Sequence, residues 1–153
     1  MALRLSNDLK NYIINQGIVK QMAGTAGTGG TCVIKIYSGT QPTNADTEPT
    51  GTSGTMLCEI IGVGWGGSNG TIGATSGTAS LGTASGYTGT AAATGTAGWA
   101  RMRTYGTNFT GSAGTFTIDG NVGTASTCDF VINSASIVST GAVSLLTAPI
   151  AIA

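Results

Sequence analysis

"KIYSGTQPTNADTEPTGTSGTMLCEI" spans residues 35–60, and its reading decides the fold. A β-branched run ending at Tyr37 gives way to a stretch rich in Gly, Pro, Asn and Asp, and an apolar run resumes at Met56. Turn chemistry between two such runs predicts a hairpin with a long polar connection, stiffened by Pro42 and Pro49. In "CVIKIY" (32–37) the period of two places Cys32, Ile34 and Ile36 on one face and Lys35 on the other. In "MLCEII" (56–61) Met56, Cys58 and Ile60 oppose Glu59. Two half-buried strands follow, and they are expected to pair because consecutive strands usually neighbour each other.

Outward from this hairpin the same signal recurs. Candidate strands lie at 32–37, 56–63, 98–104, 115–119, 128–133, 136–139 and 142–147, separated by Gly, Asn and Ser turns. One helix signal stands apart at 6–16, with Ser6 as cap, Asp8 in the first turn and Gly17 at the end. Leu9, Tyr12, Ile13 and Gln16 fall along one face of it. So short a helix does not persist alone in water and needs a surface to dock on. Many short strands with one helix predict a mainly β fold, an antiparallel sandwich or jelly-roll-like domain over 23–153, preceded by a helix and docking segment over 1–22. Residues 64–97 repeat Gly-Thr without a fixed period, and their apolar residues are sparse (Trp65, Ile72, Leu81, Tyr87). A linker and an arm or loop that orders against neighbouring subunits both fit; the threonine content favours extended backbone and so the arm.

Composition limits the chemistry. Charged residues are 8% of the 153, against roughly 25% in an ordinary soluble domain. Gly and Thr number 26 each, six cations balance six anions, and there is no histidine. A neutral, hydroxyl-rich surface suits a protein held against other proteins. The N-terminal "MALRLSNDLKNYIINQG" lacks the apolar block of a signal peptide, and no run approaches the roughly 20 apolar residues of a membrane span. The expectation is synthesis in a cytoplasm, with no membrane partner.

Without histidine, neither a Ser/His/Asp nor a Cys/His nucleophilic arrangement can be built. A carboxylate pair for glycoside hydrolysis, Glu59 with Asp119 or Asp129, is formally available, but no spacing selects it. The expectation is no enzyme, no cofactor and no metal: Cys32, Cys58 and Cys128 are far apart, and no CxxC joins them. "GTAGTGG" resembles a phosphate loop but lacks the Gly-Lys-Ser/Thr ending. Scattered, balanced charges give no footprint for nucleic acid. By parity all three cysteines face inward, Cys128 with Phe130 and Ile132 in "CDFVI". They read as buried free thiols, with a disulfide formed outside the cell as the alternative. Trp99, Arg101 and Arg103 share one strand face, either a contact patch or an ordinary solvated or intersubunit ion-pairing face.

Residues 36–52, "IYSGTQPTNADTEPTGT", carry a resemblance. They are similar to the segment I-Y-S-G-x-Q-P-x-x-A-D-x-x-x-T-G-T of small structural proteins of tailed bacteriophages and prophages. An N-terminal helix like "LRLSNDLKNYII", a strand like "GTAGWARM" and a pair like "DFVINSASIVSTGAVSL" accompany it in these proteins. The resemblance implies a virion component and brings no catalytic residues. The hairpin reading therefore stands: the stretch between the two strands reads as a structural turn, with or without contact to a neighbour, and not as a site. The role expected is a capsid decoration or cement protein, with a neck, collar or tail component as the alternative. A carbohydrate-binding module for receptor recognition is the competing class, with Trp65, Trp99 and Tyr105 as its platform. Partners would be other virion proteins and copies of the chain itself, a trimer before a dimer. Leu9, Tyr12, Ile13, Trp65, Trp99, Arg101 and Arg103 are the expected contacts.

Overall fold

The computed structural model describes residues 5–14, 32–63, 78–80, 87–104 and 117–151. Alternation of apolar residues builds strands β1 (Cys32–Tyr37), β2 (Met56–Val63), β6 (Trp99–Thr104) and β10 (Ala142–Thr147). Between and beyond them lie β3 (Thr78–Ser80), β4 (Tyr87–Thr90), β5 (Gly95–Thr96), β7 (Thr117–Gly123), β8 (Phe130–Ile132), β9 (Ser136–Ile137) and β11 (Pro149–Ala151). Seven strands form one sheet in the order β2-β1-β6-β7-β8-β10-β4. β11 pairs with β3 and β5 with β9 as two-stranded ribbons.

The large sheet curls until its two edges meet. Cys58 of β2 bridges Ala91 just beyond β4, and the amides of Ala92 and Ala93 both donate to the Leu57 carbonyl. The result is a mainly β domain, nearly closed into a barrel, with one short helix before it. β1 and β2 pair antiparallel as expected, Lys35 opposite Glu59. One junction departs from the antiparallel expectation: β7 and β8 run parallel, Val122 beside Phe130. Inside the barrel Ile34, Ile36, Cys58, Ile60, Ala100, Met102, Phe130, Ile132, Val143 and Leu145 form one apolar core. Closing the sheet removes most of its exposed edge, a standing invitation to aggregate.

Helix α1 (Asn7–Tyr12) is shorter than the expected 6–16; Ser6 caps it, its Oγ accepting from the Leu9 amide at 3.3 Å. Residues 15–22 of the docking segment lie outside the described residues. The Gly/Thr-rich stretch is not an appendage throughout. β4, β5 and Ala91 fall within it, and β4 is the strand that closes the barrel. Its small residues explain both facts: too little apolar area to announce a strand, and little enough bulk to pass close against β2.

Candidate functional site beneath the 38–55 loop

The odd-numbered residues of β1 and β6 point out of the barrel, yet several are buried. The loop of residues 38–55 folds back over them. Its neck is fixed where the Ser38 amide donates to the Thr55 carbonyl at 3.0 Å and the Thr55 amide to Ser38 Oγ at 3.0 Å. Gly54 sits at this neck with φ +97°, and a Cβ there would lie 1.6 Å from the Ser38 carbonyl oxygen. Only glycine fits. Within the loop the Asn44 side chain accepts from the Asp46 amide at 2.9 Å, an Asx turn.

Register then assembles the covered face. Tyr37 lies opposite Trp99, Lys35 opposite Arg101 and Val33 opposite Arg103. On the other flank Arg101 lies opposite Asp119 of β7. The Tyr37 and Trp99 rings stack with centroids 4.5 Å apart, and the Arg101 guanidinium lies 5.6 Å from the Trp99 ring centre. Trp99 Nε1 donates to the Ser53 carbonyl at 2.9 Å, and Arg101 NH1 donates to the Thr47 carbonyl at 2.7 Å. Arg101 also gives Nε and NH2 to the two oxygens of Asp119. Arg103 NH2 donates to Glu48 Oε1, and Lys35 Nζ stands 3.8 Å from Glu59. Six of the chain's twelve charged residues are thus spent in three ion pairs on one face.

The electrostatics follow from this packing. Burial works against the charge on Arg101, but the hydrogen bonds and charge of Asp119 outweigh it and hold its pKa above the ordinary value. Burial raises the Tyr37 hydroxyl, with Arg101 and Arg103 partly opposing. Between β1, the loop and the arginines remains a cavity of about 40 Å³, bordered by Lys35, Tyr37, Glu48, Pro49 and Arg103.

The structure treats the expected contact residues differently. Trp99 and Arg101 are 1% and 2% exposed, so as a contact patch or a solvated face they are corrected: both face this chain's own loop. The inner side of the turn packs on this chain's own sheet, through Ser53 and Thr47. Arg103 lies beside Trp99 and Arg101 at the loop's margin. Leu9 and Tyr12 on α1 and Ile13 just after it are exposed, whereas Ile14 is fully buried. Trp65 lies outside the described residues, as does Tyr105. Glu48 and Tyr37 were not among the expected site residues, and Asp119 was named only for a carboxylate pair that no spacing selects. Opposed charges at the same level of the 98–104 and 115–119 runs were the available signal for the Arg101–Asp119 pair.

Cys32 and Cys58 are buried on the inner face, but Cys128 is corrected: it is half-buried in a turn before β8, its amide donating to Ala125 at 3.0 Å. Cys58 is paired with Ile36, four residues along β1 from Cys32. That spacing separates the two thiols by about 13 Å along the sheet, beyond disulfide reach. Among the described residues no group of three His, Cys, Asp or Glu could hold a metal ion. Compared with protein-family models, curated proteins and solved structures, the chain matches none.

Proposed function

We propose that this chain is a bacteriophage virion structural protein, a capsid decoration or cement protein that acts as a homo-oligomer, trimer before dimer. The observation that carries the reading is the segment 36–52, whose resemblance to tailed-phage structural proteins falls on the residues that build the clasped loop. Surface chemistry supports it. With half of all charges paired on one face, the other described residues carry only four, Asp8, Lys10, Asp46 and Asp129, and Leu9, Tyr12, Ile13, Ile61, Val138 and Leu146 are exposed. Attachment through such a surface rests on shape and apolar contact and depends weakly on salt. The carbohydrate-binding alternative loses its central ring, because Trp99 is stacked and covered.

Quantitative mass spectrometry of purified particles tests the proposal. Hundreds of copies per particle place the protein on the shell, and about a dozen place it at the neck or tail, following the symmetry of each part. Its absence from washed particles overturns the reading.

A further inference from the structure

Two arginines on one strand face end differently. Arg101 presents the Nε and NH2 edge of its guanidinium to Asp119, which accepts from both donors at 2.6 and 2.5 Å. Two residues along β6, Arg103 has the same edge available. There Glu48 Oε1 takes NH2 alone, and the Nε–H is buried without an acceptor among the described residues. A buried donor that has lost water and gained nothing in return is unfavourable, and it marks a place where a partner group belongs. The present occupant is weakly held: the Glu48 side chain is 59% exposed, grips with one oxygen and rides on a loop. The cavity alongside, about 40 Å³, has room for a carboxylate head.

We propose that this cavity receives an aspartate or glutamate side chain of a partner protein, whose carboxylate displaces Glu48 and takes both Nε and NH2 of Arg103. The guanidinium fork matches two carboxylate oxygens, as Asp119 already demonstrates one step along the strand. At the guanidinium one single negative charge takes the place of another, because the Glu48 carboxylate, already 59% exposed, turns out to water. A doubly charged phosphate would bring a charge that Arg103 alone does not balance. The occupant it replaces is itself a glutamate side chain, flanked by Thr47, tied to Arg101, and by Pro49 in the cavity wall. Arg101 keeps hold of Thr47 during the exchange, so the loop loosens at Glu48 without leaving the sheet.

This site is independent of where the protein resides, and the purified chain tests it. The Arg103 Nε–H resonance of labelled protein is followed by NMR at constant ionic strength, during titration with acetyl-Gly-Glu-Gly-amide. The glutamine counterpart and acetyl-Gly-Gly-Gly with a free carboxyl end serve as the other arms. The glutamate peptide should give a saturable shift, and the glutamine peptide none. Glu48→Gln, which removes the competitor, should bind roughly fivefold tighter, the scale of a surface ion pair. Arg103→Lys should abolish binding while the Arg101 Nε–H resonance stays in place, reporting an intact fold. Equal shifts with glutamate and glutamine peptides, response to the terminal carboxyl alone, or unchanged affinity in Glu48→Gln would each overturn the proposal.

Discussion

Arg101 and Asp119 face each other across β6 and β7, joined by two hydrogen bonds and withdrawn from water to 2% and 3% side-chain exposure. The third Arg101 contact, to the Thr47 carbonyl, ties the pair to the loop. One ion pair therefore links two strands and the connection that covers them. Buried pairs of this kind do not by themselves favour folding over an apolar pair of the same size. What they do is make each partner indispensable to the other.

Removing one partner should thus cost far more than the pair contributes. Asp119→Ala leaves a buried guanidinium with one remaining acceptor, and a loss of roughly 3–5 kcal/mol in urea denaturation is expected. Arg101→Met combined with Asp119→Leu should cost clearly less than the two single changes summed, the mark of direct coupling. A single-variant loss below about 1 kcal/mol, the range of solvated pairs, would show that water reaches this face.

Trp99 should behave as the fastening of the loop. Trp99→Phe retains an aromatic ring against Tyr37 but loses the bond to the Ser53 carbonyl, and should cost about 1 kcal/mol. Trp99→Ala empties the space under the loop and should cost roughly 3–5 kcal/mol. Limited proteolysis should then cut within 40–50 faster in both variants, in proportion to the stability lost. Unchanged cleavage would mean that the loop is held by its neck alone.

How far these features were legible depends on side-chain pattern. β1, β2 and β10 match their expected bounds because strict alternation, as in Cys32, Ile34 and Ile36, has only one half-buried reading. β7 runs to Gly123, past the expected 119, since Gly120 and Asn121 read as turn residues. β4 and β11 were invisible: "YTGT" and "PIA" gain their order from partners distant in sequence, Val143 opposite Gly89 and Ile150 opposite Ala79. The covered face was half legible. Parity put Trp99, Arg101 and Arg103 together, but nothing local revealed that the loop would turn back over them. That depends on Ser53 and Thr47 offering backbone carbonyls rather than side chains.

The barrel seam should tolerate no bulk at Gly89. A Cβ there would lie 2.2 Å from the Glu59 carbonyl oxygen and 2.9 Å from Cys58 Sγ. Backbone cannot yield as a flexible side chain does, so Gly89→Val should separate β4 from β2 and cost more than about 2 kcal/mol. Hydrogen exchange at Ala91, Ala92 and Ala93, whose amides bond across or beside the seam, should accelerate together. Deletion of 87–96 should likewise prevent folding altogether. A folded deletion product with native circular dichroism would show that β4 is dispensable.

Alkaline pH should expose the buried thiols. Burial pushes Cys32 from its ordinary 9.0 up to about 12, because the apolar core disfavours the charged thiolate. Cys58 moves the same way, by burial and then by the nearby Glu59 charge, and burial also raises Tyr37. A folded pKa above the unfolded one means that the unfolded chain has lost the proton while the native chain still holds it. Stability is then fully present below pH 9 and declines as pH rises from 9 towards 12. The slope contributed by one such thiol approaches 1.4 kcal/mol per pH unit, to order of magnitude. Cys32→Ala serves as the reference, so that other alkaline effects cancel: it carries a cavity cost at every pH but not the thiol's slope. Urea midpoints measured between pH 7 and 11 should fall more steeply in the parent than in Cys32→Ala, with the two curves parallel at the acid end. Iodoacetamide at pH 8 should meanwhile modify the half-buried Cys128 well before Cys32 or Cys58. Curves parallel across the whole range would mean that Cys32 ionises in the folded protein as easily as in the unfolded chain, and that water enters the core at that end of β1.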